Sequence, residues 1–400
     1  MVVRRMGRLR HLLLLFCGAA CAACAGASDW LITRSGQHEF RGEFKGAKLR
    51  ASGREIAWDE VLVMVRDAPL TIGAPHLLHL TSGEAWAVHA GGLMPGKLKV
   101  NGPLSAQAQT LDVKVLRALD FARGLPPPGA EPARTLFRRE GEALPGEMLW
   151  LDGEKLGLNS RLGAFTLPLD GLCRYVFDNR PEQESPGAKH DEVGLTDGSI
   201  LHGRTALASD GALELRHSTL GDLTLAWAAV RYVLRRSSGV SFLCEPVASS
   251  EPRASASGQV LSARRIDRQP LLNVTPPLGL LDTQGILGAR GPAWFQGRCV
   301  RGMEMQPVTA LCWPLPPKGT TQFRAWCGSA DGTQGAVQVR ISVEGKTALE
   351  KLIAPGQPPE WLVADLPAGK ELRLEADFAP SLRFPAAVVI GDVHLVGGGE

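Results

Sequence analysis

Apolar and polar residues alternate with a period of two over short stretches along most of this chain, and turn residues interrupt the alternation every few positions. Val337, Val339, Ile341 and Val343 alternate with Gln338, Arg340, Ser342 and Glu344, as a strand with one buried face requires. Leu223, Leu225 and Trp227 keep the same phase further upstream. Stretches with helical periodicity are few, so the pattern predicts short strands joined by turns and little helix. The 46 glycines and 28 prolines among 400 residues agree with that reading. The length predicts two or three domains.

One pattern recurs in the first half. Leu220-Gly221-Asp222-Leu223-Thr224-Leu225 running on to Tyr232-Val233 matches Leu162-Gly163-Ala164-Phe165-Thr166-Leu167 running on to Tyr175-Val176, and Ile56-Ala57-Trp58-Asp59-Glu60-Val61 repeats its core. A fainter copy runs from Leu111 to Leu119. Turns at Thr81-Ser82-Gly83, Leu151-Asp152-Gly153 and Thr196-Asp197-Gly198 precede these segments, so each unit reads as strand, turn, strand, glycine turn, strand. Units this small cannot bury a core alone and must stack or close into small barrels or a continuous sheet. Trp58 and Trp227 share the phase of neighbouring aliphatics, which favours a core role over a ligand platform. Proline-rich or polar stretches at 124–132 and 178–187 are expected to be exposed connectors.

The N-terminus changes the charge balance. Arg4, Arg5, Arg8 and Arg10, the apolar run from Leu12 to Phe16 and the small residues Ala25-Gly26-Ala27 read as a signal peptide over residues 1–27. The formal charge is +3, from 44 basic and 41 acidic residues; without the four leader arginines, 40 bases face 41 acids, a net charge of −1. No basic face or motif for nucleic acid remains, and no later segment is long and apolar enough to span a bilayer. A secreted, periplasmic or cell-surface location is expected. Five cysteines follow the leader, Cys173, Cys244, Cys299, Cys312 and Cys327. One disulfide among the last three is an alternative to their role as small apolar core residues.

The remaining chain divides into β-rich repeat regions at 28–123 and 145–245, a Ser/Ala/Pro linker at 246–258 and a β-sandwich at 259–397. From about Leu261 the order of elements is specific: Val274-Thr275-Pro276-Pro277, then Phe295-Gln296-Gly297, then Ala310-Leu311-Cys312-Trp313. There follow Phe323-Arg324-Ala325-Trp326, an acidic turn at Asp331-Gly332, the strand from Val337 to Val343, Trp361-Leu362-Val363 and Glu371-Leu372-Arg373-Leu374. This stretch resembles the NPCBM family of carbohydrate-binding modules. The resemblance implies a galactose-binding-like jelly-roll β-sandwich and a glycan or polysaccharide partner. It departs near its end: where members carry an acid shortly before a tryptophan and then a small residue and a second acid, the stretch from Ala386 to Asp392 has apolar residues in place of the first acid and the tryptophan.

Sugar recognition needs a flat aromatic surface for the C–H face of a pyranose and planar polar groups for its hydroxyls. Trp313, Trp326 and Trp361 are the aromatic candidates; Arg324, Asp331, Arg340, Arg383 and Asp392 are the polar ones. Phe323, Ala325 and Cys327 share one face of their strand and Arg324 and Trp326 the other. No cofactor is expected, although Asp331 and Asp392 are candidate ligands for a structural calcium ion without an Asp-x-Asp-x-Asp series. His76, His79 and His89 do not share a strand face, and Asp59-Glu60 are too close in sequence to face each other across a glycosidic bond. No nucleophile or phosphate-loop motif occurs. The expectation is an exported, non-catalytic carbohydrate-binding or adhesion protein with the repeats as scaffold or protein-interaction surface. The alternatives are a glycan-processing enzyme with catalytic residues within 28–240, and a structural envelope protein whose sandwich holds no ligand.

Overall fold

The structure is a computed structural model that describes residues 29–69, 71, 74–102, 104–121, 132–178, 190–208, 211–236, 240–243, 264–267, 295, 298–315, 320–380 and 385–397. The expected signal peptide, the linker at 246–258, the connector residues 124–131, Cys244 and Arg383 lie outside them. The chain is all-β, with antiparallel sheets.

Four meanders fill the first part. The first comprises β1 (Asp29–Thr33), β2 (Gly36–Phe44), β3 (Lys48–Ala51), β4 (Arg54–Ala57) and, after a 3-10 turn at Trp58–Glu60, β5 (Val61–Val65). The second comprises β6 (His76–Leu80), β7 (Ala85–Met94), β8 (Lys97–Gly102), β9 (Ser105–Asp112), a 3-10 turn at Val113–Val115 and β10 (Leu116–Asp120). In the third, β11 (Thr135–Arg138), β12 (Ala143–Pro145), β13 (Glu147–Leu151), β14 (Lys155–Ser160) and β15 (Gly163–Pro168) lead through the turn Leu169–Gly171 to β16 (Leu172–Val176). The fourth has β17 (Asp191–Leu195), β18 (Ile200–Leu207), β19 (Leu213–His217), β20 (Gly221–Leu225), the turn Trp227–Ala229 and β21 (Val230–Leu234).

Each meander closes on itself, because its first strand pairs with its last: β1 with β5, β6 with β10, β11 with β16 and β17 with β21. Closure requires a bend part-way, so that one half of the chain pairs backward and the other forward. Gly146 and Gly203 mark two such bends. A Cβ there would lie 2.6 Å from the Asn159 carbonyl oxygen and 2.5 Å from that of Arg216, so a larger residue would push the strands apart. Thus the 3-10 turns, absent from a pure alternation reading, carry the chain across each barrel end to its closing strand.

The meanders join in a row, two of the three junctions through their closing strands. β5 pairs with β21, β10 pairs with β16, and Ile200 of β18 pairs with Ala85 of β7. The spatial order is therefore third, second, fourth, first. The first and fourth grip each other reciprocally. Arg66 bonds Asp29 of its own meander at 3.1 Å and donates to the Trp227 carbonyl of the other, with its guanidinium 5.7 Å from that indole. Arg235 lies 3.6 Å from Asp191 of its own meander and donates to the Trp58 carbonyl, 5.4 Å from the Trp58 ring. The second and fourth interlock differently: Glu84 accepts from the His202 amide at 2.9 Å, and Ser199 Oγ accepts from the Ala87 amide at 2.9 Å.

The remaining strands form a sandwich: β22 (Ser241–Phe242), β23 (Arg264–Asp267), β24 (Arg301–Met305), β25 (Thr309–Pro314), β26 (Thr320–Ser329), β27 (Val337–Val343), β28 (Lys346–Ile353), β29 (Glu360–Asp365), β30 (Glu371–Phe378) and β31 (Val388–Gly397). One sheet runs β23-β24-β31-β26-β29 with β22 also paired to β31; the other runs β25-β30-β27-β28. Their shared core includes Trp313, Phe323, Cys327, Ile341, Leu374 and Val393. Cys173, Cys299, Cys312 and Cys327 form no disulfide with one another.

A second apolar layer welds the sandwich to the meanders. Ile32, Leu62, Val63, Val65, Tyr232 and Leu234 pack against Phe295, Cys299, Val300, Trp326 and Val389. This explains why β5, Val-Leu-Val-Met-Val, is buried at every position: Val61 and Met64 face the barrel core, while Leu62, Val63 and Val65 face the sandwich.

Candidate functional site

Alternation along β26 puts Phe323, Ala325 and Cys327 in the sandwich core and sends Arg324 and Trp326 to the opposite face. That face is where the meanders dock. Trp326 is 1% exposed and meets Trp30 edge-on at 5.5 Å and Trp361 at 5.4 Å. Arg298 lays its guanidinium against two of these rings, 4.6 Å from Trp30 and 4.8 Å from Trp326. Arg324 donates to the carbonyls of Thr33 at 3.2 Å and Arg34 at 2.6 Å, tying β26 to the first meander.

A bulge sets the far side of this face. Trp326 pairs with Gly391 and Arg324 with His394, so β31 spends one extra residue there, and Asp392 takes a φ of 47°. Val388 and Ile390 before the bulge, and Val393 and Leu395 after it, all face the core. The freed Asp392 carboxylate is buried and accepts from the amides of Val300 and Arg301 at 3.0 Å. Both of its oxygens reach the Val300 amide, so it pins the segment entering β24.

His394 is fully buried beside it. Its Nδ1–H donates to the Asp392 carbonyl at 2.6 Å, which leaves Nε2 unprotonated and without a hydrogen-bond partner among the described residues. Burial, with a smaller push from Arg324, lowers its pKa to about 4. The unfolded imidazole titrates near 6.5. The folded value is the lower one, so the stability this group contributes is complete above about pH 6.5 and is lost as pH falls towards 4. A fall of a few kcal/mol between pH 7 and 4 is expected in denaturant titrations. His394→Leu should flatten that window; an unchanged slope in the variant would contradict the assignment.

The other expected residues separate. Trp313 lies in the sandwich core at 5% exposure. Arg340 is on the opposite sheet, paired with Glu350 at 3.0 Å and Glu375 at 3.8 Å. Asp331 stands exposed in the turn after β26. Trp313, Trp326 and Asp392 therefore do not face solvent, whereas Asp331 does. Among the described residues no cluster of three or more His, Cys, Asp or Glu side chains could hold a metal.

What does remain open is the rim of the docked face, along the edge strand β29. Trp361, Val363 and Asp365 follow at period two opposite Trp326, Arg324 and Gln322. Trp361 is half-buried, Val363 is 44% exposed and Asp365 is exposed. The polar groups are held in line: Arg324 Nη2 donates to Gln322 Oε1 at 2.7 Å, and Gln322 Nε2 donates to Asp365 Oδ1 at 2.8 Å. An indole edge, an apolar step and three planar polar groups thus form one strip. Sequence reasoning missed Gln322, Val363 and Asp365, although the alternation of Trp361-Leu362-Val363-Ala364-Asp365 carried the signal.

The histidine–carboxylate pairs of the meanders sit at the joints between them. His217 accepts from the amides of Thr219 and Leu220 at Nδ1, so Nε2–H donates to Glu84 at 2.6 Å, and both side chains are buried between meanders. His79 and Arg174 similarly hold Asp120 at the joint of the second and third. These carboxylates already bond the joints between meanders.

No family model and no curated protein matches the chain. Among solved structures, it is similar to the CBM51 module of a Clostridium perfringens GH95 enzyme in complex with methyl-galactose, at 11% identity and a TM-score of 0.26, over 39% of this chain and 99% of that one. It is also similar to the tandem CBM51 modules of a Streptococcus pneumoniae family 98 glycoside hydrolase, at 8% identity and a TM-score of 0.30, over 68% and 92%. A third is the tandem CBM22 domain of Paenibacillus barcinonensis Xyn10C, at 12% identity and a TM-score of 0.22, over 81% and 98%. Likeness at this level assigns neither ligand nor site to the chain.

Proposed function

We propose that the protein is an exported, non-catalytic carbohydrate-binding protein whose C-terminal sandwich, of NPCBM type, presents the Trp361 strip to a glycan, with the meanders as a rigid support. One observation carries this: Trp361, Val363, Asp365, Gln322 and Arg324 lie on one sheet face whose rim is open, with the polar groups already locked in position. A pyranose laid along β29 would place its C–H face on the indole and Val363 and its hydroxyls against the carboxamide and carboxylate. Pre-bonded polar groups lose little freedom on binding.

Retention of the protein, without its leader, on polysaccharide gels should fall about tenfold for Trp361→Ala, as expected for losing one aromatic contact of about 1.4 kcal/mol. Asp365→Ala should weaken retention several-fold without a change in folding. Unaltered retention by both variants, or release of reducing ends by the parent protein, would overturn the reading.

A further inference from the structure

The third meander carries an exposed tryptophan, Trp150, on the outer face of its sheet. Its sheet β13-β14-β15 has a bulge at Leu149: Met148 pairs with Leu158 and Trp150 with Gly157, leaving Leu149 as the extra residue. Met148 and Leu158 point into the barrel core, while the bulge turns both Leu149 and Trp150 outward, at 45% and 36% exposure.

Gly157 decides how the indole lies. A Cβ on Gly157 would fall 2.2 Å from Trp150 Nε1, 2.5 Å from Cε2 and 2.6 Å from Cδ1. Two nearly equal distances about a shorter one place that Cβ above the pyrrole ring, along its normal, rather than at its edge. The indole therefore lies flat on the sheet with one face against the glycine and the other turned to water. Tyr232 covers Gly194 at similarly short distances, but only 5% of it is exposed, beneath the sandwich. Trp150 has no such cover among the described residues.

Polar groups surround the open ring. Thr166 pairs with Gly157 and so shares its face; two pairs further along, Glu147, Asn159 and Ala164 share it too. Glu147, Asn159 and Thr166 are all exposed. A flat aromatic face bordered by an amide, a hydroxyl and a carboxylate, with a small alanine leaving headroom, suits a stacked sugar ring better than an apolar protein surface, which would strand those polar groups.

We infer that the outer face of β13-β14-β15 is a second binding platform, on which Trp150 stacks against a pyranose ring of a polysaccharide. It is independent of the Trp361 strip and makes the meanders a binding element as well as a support. Two sites on one chain raise retention on a multivalent polymer beyond either alone.

The test uses the whole protein without its leader in pull-downs on microcrystalline cellulose, chitin, insoluble xylan and peptidoglycan. Trp150→Ala should bind about tenfold more weakly to the polysaccharide that retains the parent. Gly157→Ala, which keeps the indole but lifts it from the sheet, should do the same. Parent-like binding by both variants overturns the platform, as does failure of the parent to bind any of the four. A parent that sediments as a dimer and becomes a monomer on Trp150→Ala also overturns it, because the face would then be a self-interface. Trp361→Ala, run in parallel, separates the two sites: loss with Trp361→Ala alone removes the platform and leaves the strip, and loss with Trp150→Ala and Gly157→Ala alone does the reverse.

Discussion

Trp326→Ala should destabilise the protein by about 3–5 kcal/mol, the range for truncating a fully buried large aromatic side chain. The indole is 1% exposed and holds three groups at once: Trp30 from the first meander, Trp361 from β29 and the guanidinium of Arg298. Removing it leaves a cavity between two blocks, where neither can collapse without breaking the Arg324 bonds to the Thr33 and Arg34 carbonyls. Urea denaturation should show the loss, and limited proteolysis should become faster between the meanders and the sandwich. Trp326→Phe should recover part of the stability. A change below about 1 kcal/mol for the alanine variant would mean that the docked face is not a packed core.

Arg301→Ala should cost a comparable amount for an electrostatic reason. Glu192 is 1% exposed, and burial alone would raise its pKa. Arg301 bonds it from the sandwich, His202 and Arg236 lie at 3.6 and 3.8 Å, and the Tyr232 hydroxyl donates at 3.0 Å. Together these hold the carboxyl well below the usual carboxylate range. Taking away Arg301 leaves a buried charge short of its main partner, which costs about 3–5 kcal/mol. Because the folded pKa lies below the unfolded one, the contribution is complete above the ordinary carboxylate range and is lost as pH falls through and beneath it. That window lies below the one set by His394. Replacing both partners by apolar residues, Arg301→Met with Glu192→Leu, should restore much of the stability lost by Arg301→Ala. A double variant as unstable as the single one would argue against the paired-charge account.

The all-β class was legible because alternation and turn residues agree along most of the chain. The two faces of β26 were equally legible, since Phe323, Ala325 and Cys327 differ so plainly from Arg324 and Trp326. What covers the second face was not. A period of two says that a residue points away from one core; it does not say whether water or another layer waits on the other side. Trp326 and Arg324 read like a ligand surface for that reason, and the meanders occupy the place expected for a sugar. The clue was in β5 and β21, where Val-Leu-Val-Met-Val and Val-Arg-Tyr-Val-Leu lack alternation because both faces are buried. Trp150 was overlooked because a bulge shifts it out of phase, and the glycine beneath it is separated from it by a turn.

The nested pairing of the meanders also fixes an order of assembly during synthesis. The second and third can dock as soon as residue 176 is made, since β10 and β16 complete their own ribbon. The first must wait much longer: β5 meets β21 only after Leu234, and Leu62, Val63 and Val65 are covered only when the sandwich strands follow. A chain made from its N-terminus therefore keeps an uncovered apolar strand at its beginning until its last strands are present, a state prone to aggregation.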